Sequence, residues 1–209
     1  VGYTAADIDE IRREADDDVF YFGRVICGHR DLVFEDHAPW MYMAAGDAPK
    51  LLAVLRSPLT SFTVRELRRE AKRRGVDIWA SDAAGRLAEK LRVVDLRVYR
   101  GSGKSSAITH AVRLWKMVRW PNMSSALITN VERPKDKEFC KQIRATIQSE
   151  LFVIVYPDRV PIDQKTMLTD SALTLAGRDV PDKEPCLMAF GYDASPTGYH
   201  FDEIQFDDL

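Results

Sequence analysis

The sequence predicts an α/β protein: a mostly parallel sheet flanked by helices, with a helical N-terminal lead-in and a small helical insertion. Three observations carry this. From Val93 onward, strand-length apolar runs alternate with amphipathic helical ones, the pattern of βαβ units. Upstream, from Ala5 to Met43, hydrophobic residues recur at helical spacing. Between the two, Thr63 to Leu91 reads as a short, strongly basic pair of helices. The expected segments are therefore 1–56 as lead-in, 57–92 as basic hairpin insertion and 93–209 as α/β core.

Composition sets the outer limits. The chain has 209 residues, with 30 Lys+Arg against 32 Asp+Glu and 45% hydrophobic residues, enough for a sizeable core. That balance excludes a disordered chain and a wholly basic nucleic-acid binder, but not a local basic patch. No apolar run approaches the ~18 residues of a membrane span, and the acidic opening is unlike a secretory leader, so no membrane partner is expected. Cys27, Cys140 and Cys186 are odd in number and far apart, which predicts neither a disulfide framework nor a zinc knuckle. A reduced, cytosolic setting follows as the expectation.

Taken in order, Ala5 to Asp18 is an acidic helix ending in a charge run, DDD. The stretch VFYFGRVICGHRDLVFEDHAPWMYMAA predicts two helices broken near Gly28 and Pro39. Thr63 and Glu66 form a capping box, Gly75 stops that helix, and a second amphipathic segment runs to Leu87 and Leu91 over a small core with Trp79. Six basic residues (Arg65, Arg68, Arg69, Lys72, Arg73, Arg74) face Glu66 and Glu70 on the first of these helices. In the core, VVDLRVY is a strand and SSAITHAVRLWKMV a helix with Ile108, Ala111, Val112 and Trp115 on one face. Strand SSALITN and helix KDKEFCKQIRATIQSEL follow, the latter burying Phe139, Cys140 and Ile143. Shorter strands are expected in SALTLAG, CLMAFGY and the run ending IQFDDL.

The most informative segment is VYRGSGKSS, Val98 to Ser106, which joins an apolar strand to an amphipathic helix. Gly101 and Gly103 let successive backbone N–H groups converge on an anion, and the helix N-terminus at Ser105 adds its dipole. Lys104 supplies a point charge for the β- and γ-phosphates, and the Ser105 hydroxyl can ligate Mg²⁺. The full phosphate-loop pattern has a glycine where this chain has Val98. Arg100 reads equally as a solvated charge or as a cation reaching the γ-phosphate.

Such a loop needs a carboxylate at a neighbouring strand end. Two pairs qualify, Asp202–Glu203 after TGYHF and Asp207–Asp208 after EIQF, the second favoured slightly because Ile204 and Phe206 precede it. Asn130 and Glu132 follow the second strand, where polar groups can face a nucleotide. His29, His37, His110 and His200 lack metal-ligand spacing and are expected to be structural, although His37 with Trp40 would suit an adenine shelf.

These residues resemble the N-terminal ATPase domain of the large terminase subunit, the DNA-packaging motor of tailed bacteriophages. Three segments carry the likeness. DVFYFGRVICGHRDLVFEDHAPWM is similar to the family's aromatic lead-in; YRGSGKSS resembles its phosphate loop, which tolerates a non-glycine first position and often carries arginine; EPCLMAFGYDASPTGYHFDEIQFDDL resembles its glycine turn and strand ending in two acids. The resemblance implies a P-loop NTPase fold and Mg²⁺-dependent ATP hydrolysis that drives viral double-stranded DNA into a capsid. It assigns Arg100, Gly101, Ser102, Gly103, Lys104, Ser105 and Ser106 to the nucleotide, Ser105 and Asp207 to Mg²⁺, Asp208 to the attacking water and Arg100 to the transferred charge. It also implies a homo-oligomeric ring, portal and small-subunit partners, and the cytoplasm of an infected bacterium. Thr63 to Leu91 lies outside that ATPase core and resembles, more faintly, DNA-binding SAP or HeH hairpins. The family's nuclease segment has no counterpart before Leu209, so nuclease activity is not expected. Two other classes fit the residues: a P-loop kinase or helicase-like ATPase, and a DNA-binding module on an inactive scaffold.

Overall fold

The computed structural model describes residues 2–90, 102–129, 135–179, 184–194 and 198–207, without the side chains of residues 135–137 and 166. The expected strand VVDLRVY lies outside the described residues, as do Leu91, Arg100, Gly101, Asn130, Glu132 and Asp208. Mixed helices and strands form two compact units, one spanning Asp17–Val112 and the other Val1–Asp16 with Arg113–Leu209.

After α1 (Ala5–Asp17), the first unit is helical: α2 (Val19–Val25), α3 (Phe34–Ala45), α4 (Ala48–Arg56), α5 (Phe62–Arg73), α6 (Ala83–Lys90) and a π-helix (Ser105–Val112). Asp18, the last of the acidic run, is a cap. Its Oδ1 accepts from the N–H groups of Phe20 (2.8 Å) and Tyr21 (3.0 Å), and its Oδ2 accepts the Tyr42 hydroxyl at 2.9 Å, fastening α2 to α3. Burial, with Asp18 beside it, pushes the Tyr42 phenol above its ordinary range. α2, α3 and the π-helix meet at Gly23, where a Cβ would lie 3.0–3.1 Å from Met41, Ala111 and Leu32. Any side chain there would have to displace these neighbours by a few tenths of an ångström.

The chain breaks at Gly28 (φ +72°) as expected, but the break foreseen at Pro39 is not there: α3 runs through it. Proline leaves the Glu35 carbonyl without its helical donor, and the Ser61 hydroxyl donates to that carbonyl at 2.8 Å instead. Ser61, not Thr63, is also the N-cap of α5, its Oγ accepting from Val64 N–H at 3.3 Å, while Thr63 is buried. The helix-stop expectation at Gly75 holds. Gly75 (φ +73°) donates to Lys72 O and Val76 N–H to Ala71 O, the paired bonds of a Schellman closure. α5 packs on α3 and α4, and α6 on α4. Leu87 is buried, whereas Trp79, expected in the hairpin core, is 69% exposed. It sits beyond the Schellman turn, outside either helix.

The second unit holds α7 (Arg113–Arg119), β1 (Ser125–Thr129), α8 (Lys135–Ile147), α9 (Glu150–Val155), α10 (Gln164–Met167), β2 (Ala172–Leu173), β3 (Leu187–Gly191) and β4 (Glu203–Asp207). The open sheet has the order β2-β3-β1-β4. β1 pairs in parallel with β3 (Ser125 opposite Leu187) and with β4 (Ser125 opposite Glu203), and short β2 runs antiparallel to β3. α8 lies on this sheet, burying Phe139, Cys140, Ile143 and Ile147. The long helix expected through Leu151 ends at Ile147, because Ser149 caps a new helix by accepting Phe152 N–H. Trp115 Nε1 donates to Ala15 O at 3.0 Å, and the Tyr156 hydroxyl to Asp16 at 3.0 Å, which ties α1 into this unit.

Candidate phosphate-binding site

The loop residues fall in the helical unit. Gly103 takes φ +75°, a left-handed conformation that glycine adopts without strain. Its carbonyl then accepts Ala107 N–H at 2.9 Å, closing the first helical turn onto the loop. Lys104, Ser105 and Ser106 are half-buried at that helix entrance. Ser102 is buried, and its Oγ has no hydrogen-bond partner, so a hydroxyl donor stands unused in the loop. The helix that follows is not an α-helix for its first eight residues, Ser105–Val112, but a π-helix, a winding that concentrates at functional sites.

The sequence did not single out what braces this loop. His37 Nε2 lies 2.9 Å from the Ser102 carbonyl oxygen, and a Cβ on Gly103 would come within 2.9 Å of the same nitrogen. His37 Nδ1 accepts Val33 N–H at 2.9 Å. Trp40 packs edge-on against the imidazole, ring centroids 5.8 Å apart, and is buried, so the pair does not form an open adenine shelf. His29 and His110 are likewise structural, forming a pair with Nε2 to Nδ1 at 2.9 Å.

In the sheet unit, Asp207 ends β4 and is 2% exposed. It stands opposite Thr129, the last residue of β1, whose buried Oγ1 has no hydrogen-bond partner. Partnered residues of parallel strands share a face, so a carboxylate and an unused hydroxyl lie side by side at the carboxyl edge of the sheet. Open parallel sheets bind ligands at that edge. Thr129 escaped the sequence reading, although its place as last residue of a central strand was the available signal.

Asp202 and Glu203 have partners within the sheet unit. Asp202 Oδ2 accepts Ser124 N–H at 2.8 Å. Glu203 pairs with Arg113 Nη1 (3.1 Å) and Lys116 Nζ (2.9 Å). Burial by itself would raise the Glu203 pKa, but the two cations hold it below the usual carboxylate range. Gln205 accepts the second Arg113 nitrogen at 2.7 Å. Asp202 and Glu203 therefore organise the sheet.

Taken separately, the helical unit offers the Ser105 hydroxyl and the sheet unit the Asp207 carboxylate, each an oxygen donor of the kind Mg²⁺ selects. Among the described residues, no cluster of three or more His, Cys, Asp or Glu is placed to hold a metal ion. No described helix is long and apolar enough to cross a membrane. No family model, curated protein or solved structure matches the chain.

Proposed function

We propose that this chain binds ATP through the loop Arg100 to Ser106 and hydrolyses it in a Mg²⁺-dependent reaction. The observation that carries the reading is local: a left-handed Gly103 followed by Lys104 and a helix entrance, with the Ser102 hydroxyl buried and unused. The backbone from Gly101 to Ser105 would cradle the phosphates, and Lys104 would neutralise their charge. Ser105 and Asp207 would hold Mg²⁺, which screens the phosphate oxygens when bound. Asp208 would orient the attacking water, and Arg100 would stabilise charge on the transferred group. Catalysis of this kind is positioning and electrostatics rather than covalent chemistry. The terminase likeness extends the proposal to packaging of double-stranded DNA in the cytoplasm of an infected bacterium, by a ring that engages a portal and a small subunit.

The test is Mg²⁺·ATP calorimetry with hydrolysis followed in parallel, on the native chain and on Lys104→Ala. Loss of binding and turnover in the variant supports the loop assignment; turnover that survives the substitution removes it.

A second reading, DNA binding by α5, is favoured by one feature. Arg65, Arg69, Lys72 and Arg73 are exposed and spaced along one side of the helix. Arg69 and Arg73 also bridge Glu66 and Glu70, while Arg68 is spent on the carbonyls of Leu55 and Ser57. Such a stripe suits duplex phosphates, with strong salt dependence. Because α5 packs on α3 and α4, charge reversal at Arg65 and Lys72 is a cleaner test than deletion. DNA affinity falling while nucleotide affinity holds would favour it.

A further inference from the structure

We propose that His37 is a positioning residue for the phosphate loop: its imidazole grips the Ser102 carbonyl and thereby sets which way the Ser102–Gly103 peptide faces. The inference rests on the phosphate-loop reading above and deepens it.

The protonation pattern follows from the partners. Nδ1 lies 2.9 Å from Val33 N and 3.0 Å from Val33 O, and Nε2 lies 2.9 Å from Ser102 O. A neutral ring with its proton on Nε2 satisfies both ends, donating to Ser102 O and accepting Val33 N–H. The other tautomer would set a lone pair against the Ser102 carbonyl and strand Val33 N–H. The ring itself is fixed, because Val33 is the N-cap of α3 and His37 lies in that helix's first turn. Ser61 supports the same turn through Glu35.

The consequence lies in the peptide plane. In a trans peptide, the carbonyl and the following N–H point in opposite directions. Anchoring the Ser102 carbonyl on His37 therefore aims the Gly103 N–H away from His37, as an anion-binding loop requires. Gly103 is the residue for which this matters, since glycine tolerates either sign of φ and its preceding peptide can turn over at little cost. Turned over, the peptide would present a carbonyl oxygen, which repels phosphate. Gly103 also lacks the Cβ that would collide with Nε2 at 2.9 Å. The glycine and the histidine are thus one device: the first permits the conformation and the second selects it.

The test compares the native chain with His37→Asn, His37→Gln and Lys104→Ala by Mg²⁺·ATP calorimetry and thermal unfolding. Asparagine keeps an acceptor near Val33 N–H but cannot reach Ser102, whereas glutamine places a donor near the Ser102 carbonyl. The expected result is affinity about 10-fold weaker in His37→Asn at a nearly native melting temperature, with recovery in His37→Gln, the scale of one lost hydrogen bond. Nitrogen NMR of the native chain should show His37 protonated at Nε2 and bare at Nδ1. Native affinity in His37→Asn, with binding lost in Lys104→Ala, overturns the proposal alone. Equal behaviour of the native chain and Lys104→Ala overturns the loop reading and this proposal together.

Discussion

His29 Nε2 lies 2.9 Å from His110 Nδ1, with the two rings edge to face at a centroid distance of 4.8 Å. Burial, reinforced by the neighbouring His29, lowers the His110 pKa to about 3, and burial lowers His29 as well, against the pull of Asp31. Both rings are neutral when folded and protonate more readily when unfolded. The unfolded chain therefore binds more protons across roughly pH 3 to 6.5, and stability rises with pH there. Stability should be full above pH 6.5 and fall as the solution is acidified, by at most about 1.4 kcal/mol per pH unit for each ring. Denaturant titrations from pH 5 to 8 would show this, with a shallower slope in His110→Gln; parallel slopes would mean the pair does not titrate as its burial requires.

The two acidic pairs should separate cleanly. Asp207→Asn should cut Mg²⁺-dependent turnover about 100-fold or more, the scale of removing a key electrostatic group. Asp202→Asn should leave turnover intact and cost about 1 kcal/mol, because it weakens the bond to Ser124 N–H. Steady-state rates beside melting curves check both, and the reverse pattern would reassign the site.

Glu203 answers one buried cation, Arg113, and one half-buried cation, Lys116, which makes its removal worse than removal of either partner. Glu203→Gln leaves Arg113 and Lys116 facing each other without an anion and should destabilise by about 3 kcal/mol. Arg113→Met leaves the Lys116 pair intact and should cost distinctly less, the more so because Arg113 Nε has no partner to lose. Urea midpoints of the two variants give the comparison.

Ser61 has two jobs, capping α5 and replacing the donor that Pro39 removes from Glu35. Ser61→Ala should cost about 1–2 kcal/mol. In a Pro39→Ala background the Glu35 carbonyl regains a helical N–H, and the same change should cost less. A double-mutant cycle reads that coupling directly; strict additivity would show that the carbonyl was never dependent on Ser61.

What sequence could and could not reveal follows the range of each interaction. The break at Gly28 and the helix stop at Gly75 were legible because each rests on the conformational freedom of one glycine, here at positive φ. The strands ending at Thr129, Gly191 and Asp207 were legible from apolar runs beside turn residues. Helix boundaries fared worse where a remote partner decided them. Pro39 reads locally as a break, and only a hydroxyl far along the chain lets α3 continue. Thr63 reads as the cap of α5 because of Glu66, but it is buried and Ser61 takes that place. His37 was visible only as a structural histidine or, with Trp40, an adenine shelf, since nothing near it in sequence announces the loop it holds. Asp202 and Asp207 read alike as acids near the last strand, and nothing in the sequence marks Ser124 N–H as a donor to Asp202.

The parallel pairing of β1 also governs how the chain must fold. Ser125 has partners only at Leu187 and Glu203, so both edges of β1 wait for segments made much later. A ribosome releases the helical unit 17–112 before the sheet and leaves one edge of β1 unpaired until β4 has been made. During that interval the strand's backbone is open to any extended peptide. Expression yield should therefore depend more on synthesis rate and chaperone supply than on the stability of the finished fold.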